Sequence, residues 1–162
     1  MKITSKKKNE PKIFVSKPLV LDIKKFGHSF YRADMEFWGI DHSGPSYEGR
    51  IFINNSKANS KTSMTIKSGY VGSYFIFGHG KCFGDIGHCE IRKDRSPYDL
   101  RPSHPLMPAY TYITITDQLM KIGKNTTEFV VTIVPVLASG TIAEDEEDVV
   151  KLDKIQIITY NK

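Results

Sequence analysis

Apolar and polar side chains alternate with a period of two through much of this 162-residue sequence, and this pattern restricts the folds open to the chain. The clearest case is YRADMEFWGI at Tyr31–Ile40, where three charged residues alternate with three apolar ones: Arg32, Asp34 and Glu36 with Ala33, Met35 and Phe37. Such alternation predicts a strand with one face toward the core and the other toward solvent. Comparable segments lie at 12–25, with room for one or two strands, and at 47–55, 69–80, 109–115, 127–136 and 154–160.

Helical periodicity is scarce, which favours an all-β class. The one convincing helix is short: Thr116 is a candidate N-cap, Leu119, Met120 and Ile122 form an apolar side, and Gly123 ends it. Seven or eight short strands with a single short helix predict an antiparallel β-sandwich of jelly-roll-like appearance.

Two strand segments carry additional information. The segment at 127–136 is apolar at consecutive positions, which indicates a central strand. Pro135 has no backbone N–H, so this strand is expected to end or to meet a sheet edge there. The segment at 109–115 places Tyr110 and Tyr112 on one face. Such rings belong either to sheet packing or, where exposed, to an interaction surface.

The net charge of +5 is concentrated at the N-terminus. Met1–Lys12 contains five lysines and Glu10, which sum to +4 and leave +1 for residues 13–162. We therefore predict a flexible basic tail at 1–12 and a single β-sandwich domain at 13–162, with no nucleic-acid partner.

Targeting signals are not evident in the sequence. No apolar run approaches the roughly 18 residues of a transmembrane helix, so no membrane association is predicted. The N-terminal lysines are not followed by the apolar stretch of a secretory signal. This predicts a cytoplasmic protein, or a secreted one if a signal has been removed.

The densest group of chemically active residues lies in the glycine-rich segment FGHGKCFGDIGHCEI. It contains His79, Cys82, His88 and Cys89, and thiolate with imidazole suits zinc or copper. His88 and Cys89 are adjacent, so both reach one ion only where the strand is irregular, which the glycines permit. The alternatives are a Cys82–Cys89 disulfide across the turn or two inert thiols.

Other copper chemistry fits the sequence less well. A blue-copper set of His79, Cys89, His104 and Met107 has the right residue types, but the gap from Cys89 to His104 exceeds the usual tight ligand loop. A binuclear copper centre requires about six histidines, and the chain has five. The chain is therefore not expected to be a tyrosinase-like catalytic unit by itself.

Hydrolytic chemistry is also disfavoured. Asp41, His42 and Ser43 are consecutive, and side chains of consecutive residues diverge too much for a catalytic relay. The following Gly44 and Pro45 indicate a turn instead.

The order of these segments resembles the C-terminal β-sandwich of molluscan haemocyanin units and of related tyrosinase-like type-3 copper proteins. The similarity extends from about Tyr31 to Val136. The matching pieces are Arg50–Phe52, Val71–Tyr74, Cys82 with Cys89, Thr116–Leu119 and Phe129–Ile133.

In that family the copper lies in a separate helical domain, and the sandwich packs over it and assists assembly. The resemblance therefore implies no catalytic residue in this chain. It implies a non-enzymatic binding or accessory module that caps or assembles with a separate type-3 copper protein. The alternatives are a small copper- or zinc-binding protein that uses the hairpin His79–Cys89, and a sandwich that associates with itself through exposed edge strands.

Overall fold

The structure, a computed structural model, describes residues 10–21, 30–79, 97–98, 107–122, 127–137 and 148–161. Strands dominate these residues. They are β1 (Phe14–Val15), β2 (Leu19–Val20), β3 (Phe30–Ile40), β4 (Tyr47–Ile53), β5 (Tyr70–Ile76), β6 (Ala109–Thr114), β7 (Glu128–Phe129), β8 (Val131–Leu137) and β9 (Lys154–Asn161). A 3₁₀ turn, Ile66–Ser68, precedes β5, and the helix α1 spans Thr116–Ile122.

The strands form antiparallel sheets. One sheet has the order β1-β8-β4-β5, a second has the order β6-β3-β9, and β2 pairs with β7 in a small third sheet. The prediction of an all-β antiparallel sandwich with one short helix is thus confirmed for the described part of the chain.

The core lies between the two larger sheets. In β3, the side chains of Ala33, Met35 and Phe37 point inward and are fully buried. They belong to one apolar cluster with Ile51 of β4 and Ile133 of β8. The alternation seen in the sequence therefore directs every second side chain of β3 into the core, and the intervening side chains lie on the outer face of the sheet β6-β3-β9.

The outer face of the larger sheet is partly covered by its own loops. Phe52 and Val134 form a second apolar cluster with Ala58, which comes from the polar segment between β4 and β5. Ile13, just before β1, packs against the same cluster. This covering explains why Val134 of β8 is apolar although it lies on the opposite side of the strand from Ile133, which belongs to the main core.

Two local predictions have different outcomes. Strand β8 lies between β1 and β4, but β1 reaches only Thr132 and Ile133. Among the described residues, Pro135 pairs with β4 alone, so its other side forms an edge there, as predicted. The N-cap prediction for Thr116 is wrong. Thr116 is the first residue of α1, and its hydroxyl accepts a hydrogen bond from the backbone N–H of Ala33 at 3.0 Å.

Residues 1–9 of the predicted tail lie outside the described residues. Close to their end, the ammonium of Lys12 lies 3.2 Å from the carboxylate of Asp148, and both side chains are exposed. The boundary between a tail at 1–12 and a domain at 13–162 stays a prediction. Within the part of the chain that is described, no helix has the length and apolar character needed to cross a membrane.

Candidate functional site

In the described part of the chain, a dense arrangement of polar and aromatic side chains lies on the outer face of the sheet β6-β3-β9, which we call the aromatic face. Five aromatic side chains on this sheet are well exposed. They are Tyr31, Trp38, Tyr110, Tyr112 and Tyr160. Beneath these rings lie two carboxylates, Asp34 and Glu36, of which only 2% and 6% are exposed.

Strand register brings these residues together. Glu36 of β3 is paired with Tyr112 of β6 on one side and with Gln156 of β9 on the other. Arg32 is paired with Tyr160 of β9 in the same way. Because residues directly opposite one another in a sheet share a face, the polar side of β3 lies between a tyrosine-rich strand and β9.

Asp34 is held by a cation. The guanidinium Nε of Arg32 donates a hydrogen bond to Oδ1 of the Asp34 carboxylate at 2.9 Å, and Nη2 forms an ion pair with Oδ2 at 2.7 Å. The hydroxyl of Thr114 donates a further bond at 2.9 Å. The guanidinium carbon of Arg32 also lies 5.5 Å and 5.4 Å from the ring centres of Tyr112 and Tyr160. The hydrogen bond to Asp34 is the main reason that the pKa of Arg32 is raised.

Glu36 is held by neutral donors. The indole N–H of Trp38 and the amide of Gln156 donate to Oε2 at 2.9 Å and 2.6 Å, and the Tyr110 hydroxyl donates to Oε1 at 2.9 Å. Burial raises the pKa of Glu36, but the three hydrogen bonds outweigh burial and lower this pKa below the ordinary value of 4.5. Glu36 is therefore ionised at neutral pH.

Trp38 and Tyr110 form the open surface above Glu36. Their ring centres lie 4.3 Å apart, and the Tyr112 ring continues the row 6.3 Å from Tyr110. The pKa of Tyr110 is raised to about 12. Desolvation is the largest cause, and the hydrogen bond to Glu36 is the second. Neither Glu36 nor Tyr110 changes protonation near neutral pH, so this pair is suited to recognition rather than to acid–base catalysis.

The hairpin predicted to bind metal is only partly described. Cys82, His88 and Cys89, both as metal ligands and as a possible disulfide, lie outside the described residues, and so does His104. His79 is described, and it lies beside His42, which is not one of the predicted metal ligands. The rings of His42 and His79 are 5.1 Å apart in a T-shaped contact.

A backbone hydrogen bond joins His79, which follows β5, to the turn after β3 that contains His42. The backbone N–H of His79 donates to the carbonyl oxygen of His42 at 2.8 Å. Next to it, Gly78 packs so closely on the turn that a Cβ would lie 2.2 Å from the carbonyl oxygen of Gly44 and 2.3 Å from Pro45. A side chain larger than hydrogen at Gly78 would separate the segments.

The remaining polar groups of this turn are engaged locally. His42 Nε2 lies 2.8 Å from the backbone oxygen of Met107. The carboxylate of Asp41 accepts a hydrogen bond from the backbone N–H of Ser43 at 2.9 Å, which supports a turn rather than a catalytic relay. Among the described residues, no three histidine, cysteine, aspartate or glutamate side chains lie close enough to hold a metal ion.

Parts of the aromatic face can be seen in the sequence, but the pairing that brings them together cannot. The alternation in 31–40 and the tyrosines at 109–115 were visible as separate signals. That β6 and β9 both flank β3 was not visible, because these pairings join residues far apart in the sequence.

Comparisons with known proteins inform the fold. No family model and no curated protein matches the chain. Among solved structures, the chain is similar to a latent aurone synthase (polyphenol oxidase) from natural source, with a TM-score of 0.50 and 16% identity. The shared feature is the fold. The match covers 94% of this chain and 25% of the polyphenol oxidase, so the chain spans about a quarter of that protein's length.

Proposed function

We propose that this protein is a non-enzymatic β-sandwich module that caps or assembles with a separate type-3 copper (tyrosinase-like) protein, as the resemblance to the haemocyanin C-terminal sandwich implies. The observation that carries the proposal is the fold match. Nearly the whole chain aligns with a quarter of a polyphenol oxidase, a tyrosinase-like type-3 copper protein. In the polyphenol oxidase, the matching region is one part of a longer chain. We propose that this protein supplies the equivalent sandwich to a type-3 copper protein from outside that protein's own chain.

The aromatic face supplies a suitable binding surface. Tyrosine, tryptophan and arginine are the residues most enriched where proteins bind one another. Here Trp38, Tyr110 and Tyr112 are each about half exposed, at 43%, 46% and 49%. The carboxylates beneath them, Asp34 and Glu36, accept hydrogen bonds from residues of this protein. A partner that covers the rings and excludes water therefore leaves both buried charges hydrogen-bonded.

The test is binding to a copper-loaded type-3 protein that lacks a sandwich of its own, measured by calorimetry and by gel filtration with light scattering. A complex of defined stoichiometry is expected. Trp38→Ala and Tyr112→Ala should each weaken it by roughly fivefold or more, since truncated interface anchors cost above about 1 kcal/mol. Phe75→Ala is the matched control, because Phe75 is 76% exposed but lies in β5 of the other sheet.

The outcomes separate the candidates. Absence of any complex, or equal weakening by Phe75→Ala and Trp38→Ala, contradicts the proposal. Light scattering of the protein alone tests self-association, and a stable homodimer whose interface is sensitive to Trp38→Ala would indicate that the aromatic face serves that role instead.

A second candidate function is a small copper- or zinc-binding protein, and the contact of His42 with His79 favours it. Imidazole is a common ligand of both metals. Titration with Zn²⁺ and Cu²⁺ should show one bound equivalent, weakened by His42→Ala and by His79→Ala, with Mg²⁺ as the control because it prefers oxygen ligands. Bound metal below about a tenth of an equivalent after reconstitution would exclude a metal site.

The cysteines require a separate measurement. Thiol titration with and without denaturant distinguishes a Cys82–Cys89 disulfide from two free thiols. Cys82→Ser and Cys89→Ser then show whether either sulfur contributes to metal binding. An unchanged metal affinity in both variants would remove the cysteines from the proposed ligand set.

A further inference from the structure

The aromatic face contains two halves built from similar parts. In the first half, the carboxylate of Asp34 binds the guanidinium of Arg32, which lies over the rings of Tyr112 and Tyr160. In the second half, the carboxylate of Glu36 lies beneath other rings, and no cation of the described residues forms an ion pair with it. The first half shows how this surface accommodates a guanidinium.

No cation in the described part of the chain compensates the charge of Glu36. Its three donors, Trp38, Tyr110 and Gln156, are all neutral. An ionised carboxylate offers about four lone-pair positions. From the described residues, Oε2 accepts two hydrogen bonds and Oε1 accepts one, so none of them uses the second acceptor position on Oε1. The second half therefore carries a buried negative charge with room for one more donor.

The rings above Glu36 add to the attraction for a cation. The faces of aromatic rings carry partial negative charge, and indole is the strongest of them. Trp38 and Tyr110 lie 4.3 Å apart and are each nearly half exposed. The carboxylate of Glu36 lies beneath them and accepts a hydrogen bond from each of these two side chains.

Among the described residues, Lys154 is a charged residue that lies directly beside Trp38 in the sheet. It is paired with Trp38 across β3 and β9, and its side chain is exposed. No hydrogen bond or ion pair joins it to Glu36 within the described part of the structure. Its position beside Trp38 makes it a useful site for changing the local charge without disturbing the buried groups.

We propose that the Trp38–Tyr110–Glu36 half of the aromatic face binds a guanidinium group, supplied by an arginine side chain of the partner protein. A guanidinium stacks on rings through its flat face and donates hydrogen bonds from its edge, so it satisfies both the rings and the free position on Oε1. The identity of the source as a partner protein rests on the proposed function, whereas the preference for guanidinium rests on these side chains alone.

The experiment titrates the full chain with N-acetyl-L-argininamide and follows the fluorescence of Trp38, the protein's only tryptophan. A saturable change is expected. The matched neutral probe is N-acetyl-L-citrullinamide, which has nearly the same shape without the charge, and it should bind about tenfold more weakly or not at all. Equal responses to both probes would overturn the proposal.

Three variants sharpen the result. Glu36→Gln should abolish the preference for arginine over citrulline. Lys154→Glu adds negative charge at an exposed position, so it should tighten arginine binding severalfold even if Glu36→Gln does not fold. Phe75→Ala on the other sheet should bind like the wild type. Weaker binding by Lys154→Glu, or an unchanged preference in folded Glu36→Gln, would contradict the inference.

Failure of this inference can be distinguished from failure of the proposed function. If the arginine probe binds and no type-3 copper protein does, the proposed function fails and the guanidinium site stands. If a copper protein binds with equal affinity to the wild type and to Lys154→Glu, and the arginine probe does not bind, the guanidinium site fails and the accessory function stands.

Discussion

Asp34 and Glu36 are charged side chains on the outer face of a sheet, yet they are almost fully buried. Charged residues are rarely buried unless they are paired or hydrogen-bonded. Here the burial comes from neighbouring rings on β3, β6 and β9 rather than from the core. The alternation correctly placed these carboxylates opposite the core side, but the expected contact with solvent was replaced by contact with aromatic rings.

The lowered pKa of Glu36 gives a prediction about pH. A carboxyl group whose pKa is lowered in the folded state contributes stability above its ordinary pKa of 4.5, and this contribution is lost as the pH falls through the folded value. Glu36→Gln should therefore lower the free energy of unfolding at pH 7, and its difference from the wild type should shrink in acid. Urea denaturation across this pH range tests it. A difference that stays constant with pH would contradict the prediction.

Thr132 gives a second prediction for a single residue. Its hydroxyl oxygen is buried in β8 and finds no hydrogen-bond partner among the described residues. Thr132→Val replaces the hydroxyl with a methyl group of similar size, so it should raise the free energy of unfolding by about 1 kcal/mol. Thr114→Val is the contrasting variant and should destabilise, because the Thr114 hydroxyl donates to Asp34. Destabilisation by Thr132→Val would contradict this account.

At the scale of secondary-structure elements, β3 organises the candidate site. It pairs with β6 on one side and β9 on the other, and a bulge interrupts the β6 pairing between Phe37 and Ile40. Gly39 lies in this bulge with φ +67°, and a Cβ there would lie 2.0 Å from the Asp153 carboxylate. Glycine thus permits both the left-handed conformation and the close approach of the segment before β9.

Gly49 in β4 lies directly against the ring of a buried tyrosine on the neighbouring strand β5. A Cβ at Gly49 would lie 2.7 Å from the buried ring of Tyr74, which in turn contacts Phe37 with ring centres 4.9 Å apart. Gly49→Ala should therefore overpack the core and lower the free energy of unfolding by about 1–3 kcal/mol.

The control for this prediction is Gly44→Ala, because nothing lies within 4 Å of a Cβ at Gly44. Chemical denaturation of both variants gives the comparison. If Gly44→Ala destabilises as much as Gly49→Ala, the loss is a general effect of replacing glycine and not overpacking against Tyr74.

At the scale of the whole molecule, one apolar cluster joins the two larger sheets. It includes Met35 and Phe37 of the three-stranded sheet and Ile51 and Ile133 of the four-stranded sheet. Neither sheet keeps its inner face covered without the other. The single domain at 13–162 stays a prediction. The exposed pair Lys12–Asp148 adds little to stability, because surface ion pairs contribute at most about 1 kcal/mol.

The shared core predicts that both sheets unfold together. Trp38 fluorescence reports on the three-stranded sheet, whereas far-ultraviolet circular dichroism reports on all strands. Urea unfolding followed by the two signals should give coincident transitions with one midpoint. A fluorescence transition at clearly lower urea would show that the sheet β6-β3-β9 opens separately.

The sequence by itself determined which segments are strands and which side chains of β3 face the core, because the two-residue period is a local property of the backbone. It also indicated the edge at Pro135, because a missing N–H is local too. The metal-site prediction for His79, Cys82, His88 and Cys89 remains open, since only His79 lies in the described part of the chain.

Only the tertiary structure decided which strands are neighbours. Glu36 meets Tyr110 and Gln156 across 74 and 120 positions of sequence, and no local pattern encodes those partners. The same holds for His42 beside His79. Pairing between distant strands is selected by packing of the whole core, so the hydrogen bonds and the shifted pKa values of the aromatic face exist only once both sheets are assembled.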